Sequence, residues 1–205
     1  MNWKEAILDV IIFWLLTTPH EFAHAWVATK LGDDTPSREG RVTLNPLAHV
    51  DWIGTVALPL VTSLFTGGFL GWGRPVNTNP YNLRGGLKGL AVVAMAGPAS
   101  NVVMALIATG AASIVSSPDI AQLLVRAAYL SLFLAIFNML PVPPLDGSKL
   151  LLVLPIPRSV YDEAARFGFV LLIVAMSATG LGQWMNGWAA SGTFDMLRLF
   201  GYSPR

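Results

Sequence analysis

The stretch Ala6–Leu31 reads AILDVIIFWLLTTPHEFAHAWVATKL and decides the fold class of this chain. It has about 26 residues, roughly 39 Å of helix at 1.5 Å per residue, which is enough to cross about 30 Å of hydrocarbon. Trp3 and Lys4 precede it as interfacial anchors, and Gly32 ends it before a polar stretch. The sequence therefore predicts a membrane-spanning first helix with two histidines and a glutamate inside its apolar length.

Composition extends this prediction to the whole chain. Hydrophobic residues make up 54% of the 205 residues and charged residues 12%, against about 25% charged in soluble domains. The charges are also segregated, because the stretches 52–73, 89–118, 127–145 and 167–194 contain none. Stretches of this length are typical of membrane-crossing helices. We therefore expect an all-α, multi-pass membrane protein that forms one domain over residues 1–205.

The uncharged stretches predict about four membrane spans and one further membrane segment. The full spans are Ala6–Leu31, Leu90–Val115, Ala127–Leu140 and Phe167–Trp188. The remaining stretch, Ile53–Leu70, is interrupted by glycines and by Pro59, which suits irregular backbone that is buried in protein or lines a cavity. A polar loop lies before it, and we expect a short β-like piece there at Arg41–Leu44.

The basic residues discriminate between two topologies for Ile53–Leu70. If this segment crosses the bilayer fully, as a fifth span, the 13 lysines and arginines divide seven against six between the two sides. If it dips in and returns, nine of the 13 share one side: Lys30, Arg38, Arg41, Arg74, Arg84, Lys88, Lys149, Arg158 and Arg166. The second distribution follows the positive-inside bias. It favours a re-entrant segment, with the loops that carry these nine residues in the cytoplasm and both termini outside it.

The residues that can perform chemistry are concentrated in His20-Glu21-Phe22-Ala23-His24, an H-E-x-x-H motif. Residues four apart lie on one face of a helix, so both imidazoles can bind one metal ion. Glu21, about 100° further round the helix, can take a proton from a water at that ion, whose pKa zinc lowers towards ~7. Alternatively, hydrogen bonds inside the bundle satisfy both histidines. Ionisable groups within a membrane span are by default functional, which favours the metal.

A catalytic zinc site needs three protein ligands and one open position, so the motif leaves one ligand to find. The chain has no cysteine, which restricts the choice to His49 or a carboxylate. Asp9, Asp51 and Asp146 lie in or near apolar stretches. Prolines hold the backbone before Asp146 out of regular helix, so this side chain can turn inwards, although it could instead cap a short helix that begins near Ser148. Spacing favours Asp146 and leaves His49 open.

A run of small residues lies in the second predicted span, in the segment Ala96–Asn101. Small residues let helices approach closely in lipid. We interpret Gly97 and Pro98 as a packing surface against the first span, and Asn101 as able to hydrogen-bond across it.

Taken together, five segments resemble the site-2 proteases, a family of intramembrane zinc metallopeptidases. They are HEFAH in the first span, AGPASN in the second, PPLDG after the third, and the loop segments RVTLNPLAHVDWIGT (Arg41–Thr55) and GWGRPVNTNPYNLR (Gly71–Arg84). The loop segments are similar to those of the compact bacterial members, and the likeness covers about residues 15–150. Each motif alone is moderately specific, but their order and spacing together are highly specific.

The resemblance implies one zinc ion per chain, bound by His20, His24 and Asp146, with Glu21 as the general base. It also implies that Asn138 lies near the active site, where its amide could donate a hydrogen bond to the scissile carbonyl or its oxyanion. His49 is then expected to contact the ligands or the substrate without binding zinc. The implied activity is cleavage of transmembrane or membrane-proximal peptides, towards the cytoplasmic side of a bacterial inner membrane.

Departures from the family and competing functions complete the prediction. Ser116–Arg126 is too short to hold the PDZ domain of many larger members, and Lys149 stands where we expect arginine in many relatives.

A metal-binding transporter would need ionisable residues along several spans, and the later spans have almost none. An inactive membrane chaperone would lack the glutamate or a ligand, and none is missing. The net charge of +1 provides no basic field for nucleic acid, and no feature indicates an oligomeric state.

Overall fold

The computed structural model describes residues 3–66 and 70–202, and its regular elements are all helical. The α-helices are α1 (Trp3–Lys30), α2 (Thr35–Arg38), α3 (Leu58–Thr66), α4 (Leu87–Ile114), α5 (Pro118–Asn138), α6 (Ser148–Leu151), α7 (Arg158–Ala178) and α8 (Leu181–Leu199). A 3-10 turn covers Pro46–Ala48 and a π-helical turn covers Trp52–Ala57. The β-like piece expected at Arg41–Leu44 is wrong, because Arg41 and Thr43 use their N–H groups in local turns.

Three helices of the described part, α1, α4 and α5, are long and apolar enough to cross a membrane. They confirm the predicted all-helical, multi-pass fold. The third span begins at Pro118, nine residues before the predicted Ala127, and includes Asp119 and Arg126. Proline at the first position and an acidic residue in the first turn both favour a helix start, so the charges do not mark the helix boundary here.

The predicted last span, Phe167–Trp188, is wrong as a single helix. The chain forms two helices there, because α7 ends at Ala178 and α8 begins at Leu181. Gly180 lies between them in the left-handed conformation, with φ of 71°, which glycine adopts without a Cβ clash. The uncharged stretch 167–194 indicates apolar surroundings, but the absence of charge does not indicate whether a single helix runs through it.

The re-entrant topology of Ile53–Leu70 stays a prediction, and two features of the described residues support it. Its helical part runs only from Trp52 to Thr66, too short for about 30 Å of hydrocarbon. The chain also returns to its own start: the Trp72 N–H donates to the Gly54 oxygen over 3.0 Å, and the Thr55 hydroxyl donates to the Trp72 oxygen over 2.9 Å. Residues 67–69 lie outside the described part.

The fold divides into two compact units, residues 1–97 and 98–205, and the division falls within α4. In the second unit, small residues of α4, α5 and α8 form a tightly packed core: Ala105, Ala108, Ala128, Leu132 and Ala189. Asn101 was expected to bond towards the first span; it exchanges hydrogen bonds with Ser131 of α5. A single domain over residues 1–205 stays a prediction.

Candidate metal centre and active site

A pair of imidazoles on α1 converges on one point. His20 and His24 stand one turn apart on the same face of the helix, and both side chains are buried. Their Nε2 atoms lie 3.1 Å apart, and the two ring planes are nearly perpendicular, at 84°. Both rings therefore turn the same nitrogen towards the space between them, which is the arrangement that a shared metal ion requires.

The other ring nitrogen of His24 settles which nitrogen carries the proton. Nδ1 lies 2.7 Å from the backbone oxygen of Val93 in α4, and a carbonyl oxygen can only accept, so Nδ1–H donates. In the neutral ring Nε2 then keeps its lone pair. Metal-binding histidines usually donate their second N–H to a carbonyl or carboxylate in this way. Sequence reasoning missed Val93, because a backbone acceptor has no signature in residue type.

The imidazole pair fits zinc in both geometry and donor chemistry. Two nitrogens at about 2.0–2.1 Å from a tetrahedral zinc lie roughly 3.3–3.4 Å apart, close to the 3.1 Å between the two Nε2 atoms. The chain has no cysteine, so a third ligand must offer nitrogen or oxygen, and zinc accepts both. His20 and His24 are therefore suited to supply two of the ligands of a zinc site.

Glu21 follows His20 directly and is buried, with an exposed fraction of 9%. The non-helical segment 70–79 passes beside its carboxylate, since a Cβ built on Gly73 would lie 3.4 Å from Glu21 Oε1 and 3.5 Å from Cβ of Thr17. These distances place the segment against α1 at the level of the glutamate. Sequence reasoning placed Gly73 only within a loop segment.

A buried cation, Arg41, lies within electrostatic reach of Glu21. Its exposed fraction is 4%, and its guanidinium donates to the backbone oxygen of Ala48. Burial and the charge of Arg74 hold the pKa of Arg41 below its usual range. The carboxylates of Glu21 and Glu39 oppose that shift. Sequence reasoning counted Arg41 only as a loop charge, because its burial depends on how the loop folds back.

Asp146 belongs to the second unit, where its side chain is buried at the end of a proline-rich loop. The loop contains a cis peptide bond between Pro143 and Pro144. Lys149 donates from Nζ to Asp146 Oδ1 over 3.0 Å, and its own side chain is one third exposed. The lysine therefore supplies a charged partner to one carboxylate oxygen.

Gly147 explains how the loop before it closes. Its N–H donates to the Asn138 oxygen over 2.7 Å, which joins the end of α5 to the residue after Asp146. A Cβ on Gly147 would lie 2.2 Å from the backbone oxygen of Met139, so only glycine permits this approach. Asp146 thus places a buried carboxylate directly before Gly147, a position where the closed loop leaves no room for a side chain.

Helix α7 packs directly on the Asp146 loop. A Cβ on Gly168 would lie 1.8 Å from the Pro143 oxygen, so the α7 backbone touches the loop there. At the other end of the loop, the hydroxyls of Ser148 and Tyr161 lie 3.3 Å apart, and Ser148 is fully buried. Sequence reasoning ended the functional segment near residue 150 and missed both contacts.

Asn138 is the last residue of α5, and its side-chain amide donates to the Leu134 oxygen over 3.0 Å. This bond uses one of the two amide hydrogens and holds the side chain against its own helix. The second amide hydrogen and the side-chain oxygen retain the capacity to bond elsewhere.

His49 is fully buried in the loop before the re-entrant segment. Its Nε2 lies 2.8 Å from the Thr43 oxygen, so this nitrogen carries the proton and donates. Nδ1 is buried without a hydrogen-bond partner. Burial lowers the pKa of His49; the bond to Thr43 opposes this and the charge of Arg41 adds to it, which leaves the pKa below its usual value. The single N–H of the neutral ring is used in the bond to Thr43. The expectation that His49 contacts the ligands or the substrate without binding zinc stays a prediction.

Asp9 and Asp51, the other carboxylates considered as zinc ligands, are engaged elsewhere or lie far along the helix from His20. Asp9 lies eleven residues before His20 on the same helix, roughly 16 Å along its axis, too far to share a metal ion. Asp51 accepts the N–H groups of Ile53 and Gly54 over 3.0 and 2.8 Å, so it caps the π-helical turn.

Comparisons with known proteins agree with this geometry. The model of peptidase family M50 matches residues 111–175. The Bacillus subtilis (strain 168) protein named "Putative zinc metalloprotease YwhC" is 36% identical over 197 residues, covering 89% of this chain and 86% of the relative. Two proteins named in the same way, as Rip2, come from Mycolicibacterium smegmatis (30% identical; 90% of this chain, 72% of the relative) and Mycobacterium tuberculosis strain H37Rv (29% identical; 96% and 75%). No solved structure gives a significant match.

These relatives share most of their length with the chain, and their names agree with the paired histidines of α1. Three apolar helices of membrane-spanning length agree with a membrane enzyme. The chain belongs to peptidase family M50, the site-2 protease family, and is a membrane metalloprotease.

Proposed function

We propose that this chain is an intramembrane zinc endopeptidase that holds one zinc ion with His20, His24 and Asp146. The observation that carries the proposal is the imidazole pair: two Nε2 atoms 3.1 Å apart, with His24 Nδ1–H donated to the Val93 carbonyl. A hydrogen bond between the two rings would give the same 3.1 Å, so the distance supports a metal site together with its surroundings. Those are the H-E-x-x-H spacing and the second N–H donated to a carbonyl, as in metal-binding histidines.

Asp146 is proposed as the third ligand because the two histidines supply only two of the three protein ligands of a catalytic zinc site, and a carboxylate oxygen can supply the third. It is buried like both histidines, and each of the three offers one ligand atom of a type that zinc accepts. Lys149 donates to Oδ1 of the same carboxylate and so helps to hold it in place. Two imidazoles and one carboxylate oxygen leave one position open for water or substrate.

Glu21 is proposed as the general base. When bound, zinc lowers the pKa of a water towards ~7 and polarises the peptide carbonyl. Glu21 accepts the proton of the attacking water and passes it to the leaving amine, which requires a carboxylate beside the metal but not bound to it. Its place in the motif, one residue after His20 and buried, suits this role.

Asn138 is proposed to donate its second amide hydrogen to the oxygen on which negative charge develops. Its first hydrogen is donated to the Leu134 oxygen, which holds the amide in one orientation before substrate arrives. A donor fixed in advance stabilises that charge without reorganisation during the reaction.

The proposed substrates are transmembrane or membrane-proximal segments of other membrane proteins, cut towards the cytoplasmic side of a bacterial inner membrane. Support comes from the three apolar helices, from bacterial relatives and from the concentration of basic residues in the loops assigned to the cytoplasm.

The proposal is tested with purified wild type and Glu21→Gln in proteoliposomes that contain a library of single-span membrane peptides. We expect mass spectrometry to detect internal cleavage by the wild type and none by the variant, with equal zinc content in both. Glu163→Gln, an exposed carboxyl change on α7, serves as the matched control and should cleave like the wild type. Wild-type rates in Glu21→Gln would remove the general-base assignment.

A further inference from the structure

The α4 backbone approaches the imidazole pair most closely at Gly97. A Cβ built on this residue would lie 2.3 Å from His24 Nε2 and 2.6 Å from both Cε1 and Nε2 of His20. Separations under about 3 Å are far inside van der Waals contact, which begins near 3.5 Å. Even the smallest side chain at this position would therefore occupy the space beside both converging nitrogens.

The same helix also contacts the opposite edge of the His24 ring. Val93, whose oxygen accepts from His24 Nδ1–H, stands four residues before Gly97 and hence on the same face of α4. The ring thus lies along one turn of α4, with a hydrogen bond at one end and a bare Cα at the other. This hydrogen bond opposes a rotation of the ring that could make room for a Cβ.

Among the glycines of α4, Gly97 is the one whose Cβ would meet the histidine rings. A Cβ on Gly89 would instead lie 2.5 Å from the backbone oxygen of Arg84. A Cβ on Gly110, also in α4, would lie 3.5 Å from the nearest atoms of Phe200, an ordinary contact. Glycine lowers the stability of a helix interior relative to alanine, so its presence at position 97 calls for a compensating gain. Sequence reasoning interpreted the small residues here as a packing surface against the first span, and at Gly97 that contact is with the two imidazoles of α1.

We propose that Gly97 is a positioning residue of the metal centre: by lacking a side chain, it lets both Nε2 atoms converge on one ion. This inference rests on the proposed zinc site and adds to it a residue that touches neither metal nor substrate. An alanine at position 97 pushes the two rings apart and weakens zinc binding. Helix packing alone would make the same substitution affect folding and leave zinc affinity unchanged.

The direct test compares zinc affinity in wild type, Gly97→Ala and the matched control Gly110→Ala. We expect zinc to bind about 10- to 100-fold more weakly to Gly97→Ala, the range for disturbing the groups that orient metal ligands. The d–d spectrum of the Co²⁺-loaded protein should change in the same variant. Gly110→Ala should match the wild type in both. Unchanged affinity and spectrum in Gly97→Ala, with zinc bound by the wild type, would overturn the inference.

A second measurement keeps the inference testable if Gly97→Ala folds poorly. Thermal unfolding of the metal-free proteins is compared for Gly97→Ala in the wild-type background and in the background that carries both His20→Ala and His24→Ala. If the clash is with the rings, the loss of stability disappears once the rings are gone. A loss that persists in the second background would show that packing needs the glycine. Absence of zinc from the wild type would instead contradict the proposed function itself.

Discussion

The His49 imidazole shows how one buried side chain can matter for activity without touching the reacting atoms. Its Nε2–H donates to Thr43 and closes the loop that precedes the re-entrant segment. The backbone oxygen of His49 accepts the N–H of Arg74 over 2.9 Å, next to Gly73 and the Glu21 carboxylate. A change at His49 can therefore reach Glu21, the proposed general base, through the loop.

His49→Ala is expected to keep its zinc and to lower turnover by roughly 10- to 1000-fold, the range for losing a polar group that supports an active site. His49→Gln, whose amide can still donate to the Thr43 oxygen, should recover part of the activity. Metal analysis and cleavage assays on the same preparations decide the matter. Lost zinc would make His49 a ligand, and full activity in the alanine variant would leave it without a role in catalysis.

Among the elements, the re-entrant segment and the C-terminal helices show what sequence patterns could and could not predict. Glycines and Pro59 within Ile53–Leu70, together with the loop charges, predicted a segment that turns back, and the bonds between Trp72 and residues 54–55 support that prediction. The single span at Phe167–Trp188 was wrong because hydropathy does not register the backbone turn at Gly180. Helix starts were equally hidden, as at Pro118, where a proline in the first turn begins the helix before the uncharged stretch does.

The topology of this segment can be tested with reporters fused near Asp33–Gly40 and near Asn77–Asn82. The Asp33 carboxylate accepts the backbone N–H of Asn79 over 2.6 Å and the side-chain amide of Asn82 over 3.2 Å, so both loops must lie on the same side of the membrane. We expect both reporters in the cytoplasm, as the positive-inside bias predicts. Reporters on opposite sides would contradict the re-entrant assignment.

For the molecule as a whole, the sequence indicated which side chains come together on α1, but it did not indicate the backbone contacts that hold the candidate site in place. The H-E-x-x-H spacing alone brings His20 and His24 together, because helix geometry places residues four apart on one face. No residue pattern predicted the hydrogen bond from His24 to the Val93 carbonyl or the close approach of Gly147 to the Met139 oxygen. Both depend on backbone positions that tertiary packing sets. Two relatives that match about nine tenths of the chain are both named as zinc metalloproteases, which agrees with the enzyme class predicted from the sequence.

The central claim is that this fold holds one zinc ion with two imidazoles and the Asp146 carboxylate. Metal analysis combined with zinc K-edge X-ray absorption on purified wild type, Asp146→Ala and the exposed control Asp162→Ala tests it most directly. We predict about one zinc per chain, two imidazole nitrogens and oxygen at about 2.0–2.1 Å, and no sulfur, with occupancy lost only in Asp146→Ala. A wild type without zinc, or an Asp146→Ala variant with full zinc and an unchanged spectrum, would contradict the account.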